Sequence, residues 1–370
     1  MLTPMIRLIT LVGTLALVAA CSPAAAPAPQ TPVTTGEPAD PGFSLVAGGD
    51  VLVHPELTDQ ASSDGGGTRD YRPLLAGVRR AVSAADLAIC HLETPLAPAS
   101  GPFKGYPDFS APPEIVGALA DTGYDDCSTA SNHTLDMGPA GVTRTLDTLD
   151  AGGIRHTGSA RSAAEAATPL ILDVHGVKVG HVAFSFGFNG RKVPADKPWL
   201  ANTLDADSVL AAARRARAAG AEIVVASLHW GTEYQQETTA EQRGIAQRLL
   251  ADPAVDLIIG HHAHVVQPFE KINGKWVAYG MGNLVARHSE PRGTTEEGVL
   301  ARFHFTRSGP GWTVDRAEYL PTLIDLGPPI RLLDLTDAPG ADPTRTRQAL
   351  SRTDGIVLSR GAGAQGLTRP

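Results

Sequence analysis

The chain has 370 residues, with 31 Lys and Arg against 39 Asp and Glu, giving a formal net charge of −8. Hydrophobic residues make up 42% and aromatic residues 5%, an ordinary globular composition that excludes wholesale disorder. The acidic balance excludes a nucleic-acid binder, which carries a basic patch or a high pI. The 3 Cys are too few for a disulfide scaffold.

Met1–Ala20 carries Arg7, then an apolar run from Leu8 to Ala20, followed by Cys21. A positive start, a short apolar run and small residues before a cut site describe a secretory signal. The run is too short for a membrane-spanning helix, which needs about 20 apolar residues. Val18-Ala19-Ala20-Cys21 resembles the bacterial lipobox, whose Cys becomes the lipidated first residue of the mature protein. A plain signal peptide with Cys21 there by chance is the alternative. Ser22–Gly42 contains Pro23, Pro27, Pro29, Pro32, Pro38 and Pro41 and cannot bury a core. It reads as an extended spacer, reaching at most roughly 65 Å at ~3.1 Å per residue. The expected organisation is a lipoprotein signal over 1–20, a lipidated Cys and Pro/Ala-rich tether over 21–42, a globular domain over 43–325 and a partly flexible extension over 326–370. That order describes a secreted protein, lipid-anchored to the outer face of the bacterial cell membrane.

From Phe43 onward short apolar runs alternate with helical patterns, the signature of an α/β fold. Strands are expected at Phe43–Ala47, Leu87–Cys90 and Tyr124–Ala130. Helices are expected at Pro73–Ala85, Pro113–Asp121 and Pro139–Ala151, the last with Pro near its first turn and Gly152-Gly153 behind it. The second half adds a hairpin of Leu170–Val174 and Val177–Phe184, and a helix over Ala206–Ala219 stopped by Gly220. A strand over Glu222–Leu228, a helix over Thr239–Leu250 and a strand over Val255–Ile259 follow. Phe269–Ile272 and Lys275–Tyr279 flank an Asn-Gly turn, the clearest hairpin. Val299–Thr306 and Trp312–Tyr319 read as an antiparallel pair. Asp342–Arg352 reads as a last helix capped by Asp342, and Gly361–Pro370 as a frayed tail.

The informative feature is where the polar residues fall. Asp50, Glu93, Asn132 with His133, His229, and His262 with His264 each follow an apolar strand. Open α/β sheets bind ligands outside the carboxyl ends of their strands. Carboxylate oxygen, amide oxygen and imidazole nitrogen suit one or two divalent ions such as Mn, Zn or Fe. Two-metal hydrolases hold such ions about 3.5–4 Å apart with a bridging carboxylate, and an adjacent protonated His can donate to a leaving oxygen.

Six ordered motifs resemble the CapA family of bacterial poly-γ-glutamate capsule synthesis proteins, within the calcineurin-like metallophosphoesterase superfamily. They are Gly49-Asp50-Val51, Leu92-Glu93-Thr94-Pro95-Leu96, Asn132-His133-Thr134-Leu135-Asp136-Met137-Gly138, Leu228-His229-Trp230-Gly231-Thr232-Glu233-Tyr234, Ile259-Gly260-His261-His262-Ala263-His264-Val265 and Ala278-Tyr279-Gly280-Met281-Gly282-Asn283-Leu284. The resemblance spans roughly Phe43 to Phe305. It implies a four-layer α/β/β/α sandwich with a metal centre on its strand-end loops. It assigns Asp50, Glu93 (as the bridge), Asn132, His229, His262 and His264 as ligands and His133 as general acid. Asp136 either orients His133 or serves a helix N-terminus. The superfamily's first motif is Asp-x-His, and here Asp50-Val51-Leu52 lacks that His. His54 is a candidate substitute or a loop residue. His91 is a candidate for supporting the ligands, and His261 can replace or supplement His262.

Cys90 and Cys127 are expected as two buried free thiols, with a disulfide as the alternative. Trp230, Tyr234, Tyr279 and Asn283 either wall a substrate site or pack the core. Arg214, Arg215 and Arg217 read as a solvated helix face. Two functions follow. The first is a membrane-anchored, metal-dependent hydrolase of capsule or envelope polymer synthesis, using metal-activated water. The second is a non-catalytic lipoprotein that binds or guides a polyanionic polymer during export. Either implies an anionic envelope polymer and, from the family, an integral membrane synthase or exporter as partners.

Overall fold

The computed structural model describes residues 42–338 and 340–370. The expected signal over Met1–Ala20, the lipidation site Cys21 and the tether up to residue 41 lie outside the described residues.

In chain order the first half runs β1 (Phe43–Val51), α1 (Pro55–Asp64), α2 (Arg72–Leu75), α3 (Arg79–Ser83), β2 (Leu87–Leu92), α4 (Glu114–Thr122), β3 (Asp126–Ser128), α5 (Gly138–Ala151), β4 (Arg155–Thr157) and α6 (Ala163–Ala167). The second half runs β5 (Leu170–Val174), β6 (Val177–Ser185), α7 (Ala206–Ala218), β7 (Ile223–His229), α8 (Ala240–Ala251), β8 (Leu257–His261), β9 (Phe269–Ile272), β10 (Lys275–Ala278), β11 (Asn283–Val285), β12 (Glu297–Ser308), β13 (Gly311–Asp325), β14 (Arg331–Asp334), α9 (Pro343–Val357) and β15 (Leu367–Thr368). One sheet has the order β14-β13-β12-β1-β2-β3-β4, with β11 added beside β1 and β15 beside β13. The other has the order β5-β6-β7-β8-β10-β9.

The period of two along the strands builds the layers. Leu45 and Ala47 of β1 enter the apolar layer between the sheets with Ile89, Val179, Val225 and Ile259. Val46 faces the other way, onto Leu57 of α1, Leu75 of α2, Leu119 of α4 and Leu146 of α5. On the far side Val224, Ala226 and Leu228 of β7 meet Val209 and Ala213 of α7 and Leu249 of α8. These are the four layers, α/β/β/α, that the sequence leads one to expect.

Four expectations change. The single helix over Pro73–Ala85 is α2 and α3 with a 3-10 turn at Ala76–Val78 between them. A Cβ at Gly77 would lie 2.2 Å from the Leu332 carbonyl oxygen, so the break sits where β14 presses on the segment. The extension past Asp325 is part of the first sheet: β14 and β15 both pair with β13, Leu367 beside Ala317. The expected frayed tail is instead held down, because Val357, Ala362 and Leu367 are buried in the layer between the sheets. Their wide spacing gives no periodic signal. Finally, Cys90 and Cys127 form a disulfide rather than two thiols. The β2–β3 register sets them directly opposite, with Cα atoms 4.4 Å apart, inside the range a disulfide spans.

The disulfide closes a sequence separation of 37 residues. Replacing both cysteines by alanine is expected to lower stability by about 4 kcal/mol. Urea denaturation of the oxidised protein and the double variant measures this; coincident curves would show that the bridge adds nothing to stability.

Candidate metal centre

β1 and β2 of one sheet and β7 and β8 of the other bring their carboxyl ends to one edge. Asp50 is the penultimate residue of β1 and pairs with Asn283 of β11. Glu93 follows β2 directly, and His229 and His261 end β7 and β8 opposite one another. A Cβ on Gly49 would lie 2.2 Å from the Gly282 carbonyl oxygen. Only glycine lets β1 approach that turn and set Asn283 beside Asp50. His262 and His264 sit on the loop after β8 with φ of 91° and 54°, left-handed conformations that side chains larger than glycine rarely adopt.

The six residues expected as ligands converge. Asp50 Oδ2 lies 3.1 Å from His264 Nδ1, and His264 Nε2 lies 3.6 Å from Glu93 Oε1. Glu93 Oε1 is 3.9 Å from His229 Nε2, which is 3.0 Å from Asn132 Oδ1. The His262 ring stands 4.7 Å from the His229 ring, and its backbone N–H donates to Asp50 Oδ2 at 3.2 Å. Asn189 accepts from Asn132 Nδ2 at 3.2 Å, which aims the Asn132 carbonyl oxygen at the cluster.

The donor set fits a divalent cation. Glu93 is 1% exposed, yet neither of its oxygens has a hydrogen-bond partner; His262 Nδ1 and His261 Nε2 are buried and unpartnered as well. Buried polar atoms are costly without partners, and a cation would engage them. Asp50, Glu93 and His264 form one group able to share an ion, and Glu233, His262 and His264 another.

Charge is divided unequally. Burial opposes the Asp50 charge, but hydrogen bonds from His261 and His264 outweigh it and hold the carboxyl well below its usual range. Burial pushes Glu93 well above the carboxylate range, with the charge of His264 opposing. Burial likewise disfavours the His264 cation, yet Glu93 and Asp50 raise its pKa to about 10. Burial, then the charge of His264, lowers His262 to about 3. Burial and the neighbouring His262 hold His229 well below its usual value. His229 and His262 are therefore neutral imidazoles, the form that ligates metal.

His133 faces the cavity beside this cluster. Its Nδ1–H donates to Asp136 Oδ2 at 2.7 Å, and its ring meets Phe109 edge-on at 4.7 Å. Asp136 also accepts from the Phe109 backbone N–H at 2.9 Å, while Met137 occupies the N-cap of α5. Of the two roles open to Asp136, the contacts are those of an orienting group.

Asp50, His91 and His261 form a third group able to share an ion, whereas His54 stands apart. His261 Nδ1 lies 3.2 Å from Asp50 Oδ1, and its ring stacks on His91 at 4.0 Å. His91 joins Ser128 Oγ at 2.7 Å to His229 Nδ1 at 3.0 Å, so it holds a ligand candidate from behind. His54 is not drawn into a ligand group: its Nδ1 meets the Leu52 carbonyl oxygen at 3.0 Å, and its ring packs on Phe109 and His288. Trp230 and Tyr279 pack the core, with Trp230 Nε1 donating to the Tyr279 carbonyl at 2.9 Å. Tyr234 lines the cavity. Arg214 is exposed on α7 and pairs with Asp252, whereas Arg217, expected on the same solvated face, is half-buried and pairs with Asp256 while donating to the Pro253 and Ala254 carbonyls.

Phe186, Asn189 and His288 were not indicated by the sequence. Phe186 packs on His262 with ring centroids 4.5 Å apart and the planes tilted, and His288 receives the Asn283 amide at 3.2 Å. None lies in a polar motif at a strand end, so no local signal marks them.

Fold and site together define a two-sheet α/β protein with a buried histidine–carboxylate cluster at its strand ends. Residues 44–288 match the family model described as bacterial capsule synthesis protein PGA_cap, and the chain belongs to that family. It is 30% identical over 200 residues to the PGA biosynthesis protein CapA of Bacillus subtilis (strain 168), covering 54% of this chain and 51% of that relative. It is 26% identical over 203 residues to the capsule biosynthesis protein CapA of Bacillus anthracis, covering 54% and 49%. The chain thus spans about half the length of the curated relatives it matches. A solved calcineurin-like phosphoesterase, YfkN of Bacillus subtilis, superposes on 86% of this chain and 99% of its own, with a TM-score of 0.46 and 16% identity.

Proposed function

We propose that this protein serves capsule or envelope polymer synthesis, of the poly-γ-glutamate type, as a metal-dependent hydrolase. The observation that carries the reading is the convergence of Asp50, Glu93, Asn132, His229, His262 and His264, with a buried Glu93 whose oxygens have no hydrogen-bond partner. Family membership and the names of the relatives supply the polymer. A divalent cation held by these residues supplies Lewis-acid polarisation and a lowered pKa for water. The chain's own residues do the rest: Asp136 fixes the His133 ring, and His133 presents a proton at Nε2 to the leaving oxygen.

No helix among the described residues is long and apolar enough to cross a membrane. In this reading the membrane is reached through a lipid on Cys21, and an integral membrane synthase or exporter is the partner. One observation favours the second reading, a non-catalytic polymer guide: Leu52 stands where the superfamily resemblance expects a His, and His54 does not take its place.

The test is metal content of the full chain together with turnover of a chromogenic phosphodiester in Mn, Zn or Fe. About two equivalents with turnover support the hydrolase. One or none, without turnover, transfers the centre to the polymer guide.

A further inference from the structure

A cavity of about 460 Å3 opens beside the centre and shares His133 and His264 with it. Glu233, Tyr234, Arg287 and Tyr106 also line it. Arg287 comes from the segment between β11 and β12, and Arg292 of the same segment reaches the cavity residue Tyr234. The Arg287 backbone nitrogen lies 3.1 Å from His54 Nδ1, which places this residue beside the segment after β1. Its guanidinium donates to the His288 carbonyl. The Arg292 guanidinium lies over the Tyr234 ring, 4.1 Å from its centroid. Tyr234 is fixed in turn by donating its N–H to the Ala263 carbonyl at 2.7 Å, on the loop that carries His262 and His264. The Tyr234 ring lies 6.2 Å from the His264 ring, so Arg292 is one aromatic ring away from a ligand candidate.

Among the described residues neither Arg287 nor Arg292 forms an ion pair, whereas Arg69, Arg191, Arg331 and Arg345 each meet a carboxylate within 3.0 Å. Of the acids lining the cavity, Glu233 groups with His262 and His264, and Glu56 lies in the first turn of α1. Arginine forks take a planar carboxylate through paired hydrogen bonds, and stacking on an aromatic ring pre-organises them. Tyr106, 82% exposed at the rim, offers an apolar face to the methylenes of a bound chain.

We propose that Arg287 and Arg292 form a carboxylate-binding subsite beside the metal centre that selects an acidic chain over a neutral one of the same length. The assignment rests on the polymer reading above. It gives that reading a specificity element outside the ligand set.

The test is calorimetric titration of the metal-loaded full chain with a short γ-linked glutamate oligomer and with the same oligomer carrying primary amides in place of its carboxylates. The acidic oligomer is expected to bind at least about tenfold more tightly. Arg287→Ala and Arg292→Ala should each weaken it about tenfold, leaving the amide oligomer and metal content unchanged. Arg287→Lys should recover only part of the loss, since an ammonium lacks the fork. Equal binding of the two oligomers by the wild type overturns the subsite. So does wild-type affinity in the double alanine variant. Phosphodiester turnover reports on the hydrolase separately: absent turnover with arginine-dependent discrimination intact overturns the hydrolase and supports the subsite.

Discussion

Replacing His133 by alanine is expected to lower phosphodiester turnover by about 10²–10⁴-fold while metal content stays at the wild-type level. The separation of effects follows from the geometry. Among the described residues no hydrogen bond or ion pair joins His133 to Asp50, Glu93 or His229; its Nδ1 is taken by Asp136 at 2.7 Å, which leaves Nε2 as the atom toward the cavity. Asp136 is fully buried at its side chain and also accepts the Phe109 N–H, so the ring cannot swing without breaking a second hydrogen bond. Asp136→Asn should also lower turnover, because the amide keeps the shape but donates to Nδ1 and so favours the tautomer that has no proton at Nε2. The readout that isolates chemistry is turnover per bound metal. Full turnover in His133→Ala at unchanged loading would remove His133 from the reaction. Lost metal would show that it supports the ligand set instead.

The site was more legible in the sequence than the details of the fold. Asp50, Glu93, Asn132, His229, His262 and His264 each lie at or a few residues after the end of an apolar strand, so a local pattern marks them, and topology brings them together. The supporting residues have no such pattern. Asn189 and Phe186 lie on the segment after β6, whose sequence shows no period, and they reach the site only because Ser185 and His229 share a register position. His91 is visible as a strand-end residue, but its role depends on Ser128 lying opposite it across β2 and β3. The C-terminal segment failed for a related reason. Val357, Ala362 and Leu367 are too far apart to form a stripe, and what orders them is the exposed edge of β13, which no local window contains. Helix α1 buries only Leu57 and Ala61, one turn apart, which is too faint a signal in ten residues.

Acidifying the metal-free protein from pH 7 to pH 4 is expected to unfold it. Burial first, then neighbouring positive charges, lowers His54 to about 4 and His288 to about 3. The same causes lower His262 to about 3 and hold His91 and His229 well below 6.5. For each, the folded pKa lies below the unfolded one. Below pH 6.5 the unfolded chain therefore binds more protons, and stability falls as pH falls, by up to about 1.4 kcal/mol per pH unit per histidine. Together, two units below that point, they cost on the order of 10 kcal/mol, comparable with the about 5–15 kcal/mol that holds a domain folded. Glu93, held well above its usual range, offsets part of this slope, because the folded chain keeps its proton where the unfolded chain has released it. His264 does not counter the slope. Its pKa is raised to about 10, so its contribution is fully present below pH 6.5 and is lost only as pH rises toward 10. A cation on His229 and His262 competes with their protons and should move the acid midpoint lower. Far-UV circular dichroism against pH, with chelator and with added metal, measures both effects. A chelated protein that stays folded at pH 4 would show that these histidines accept protons in place, and their description as buried neutral imidazoles would not hold.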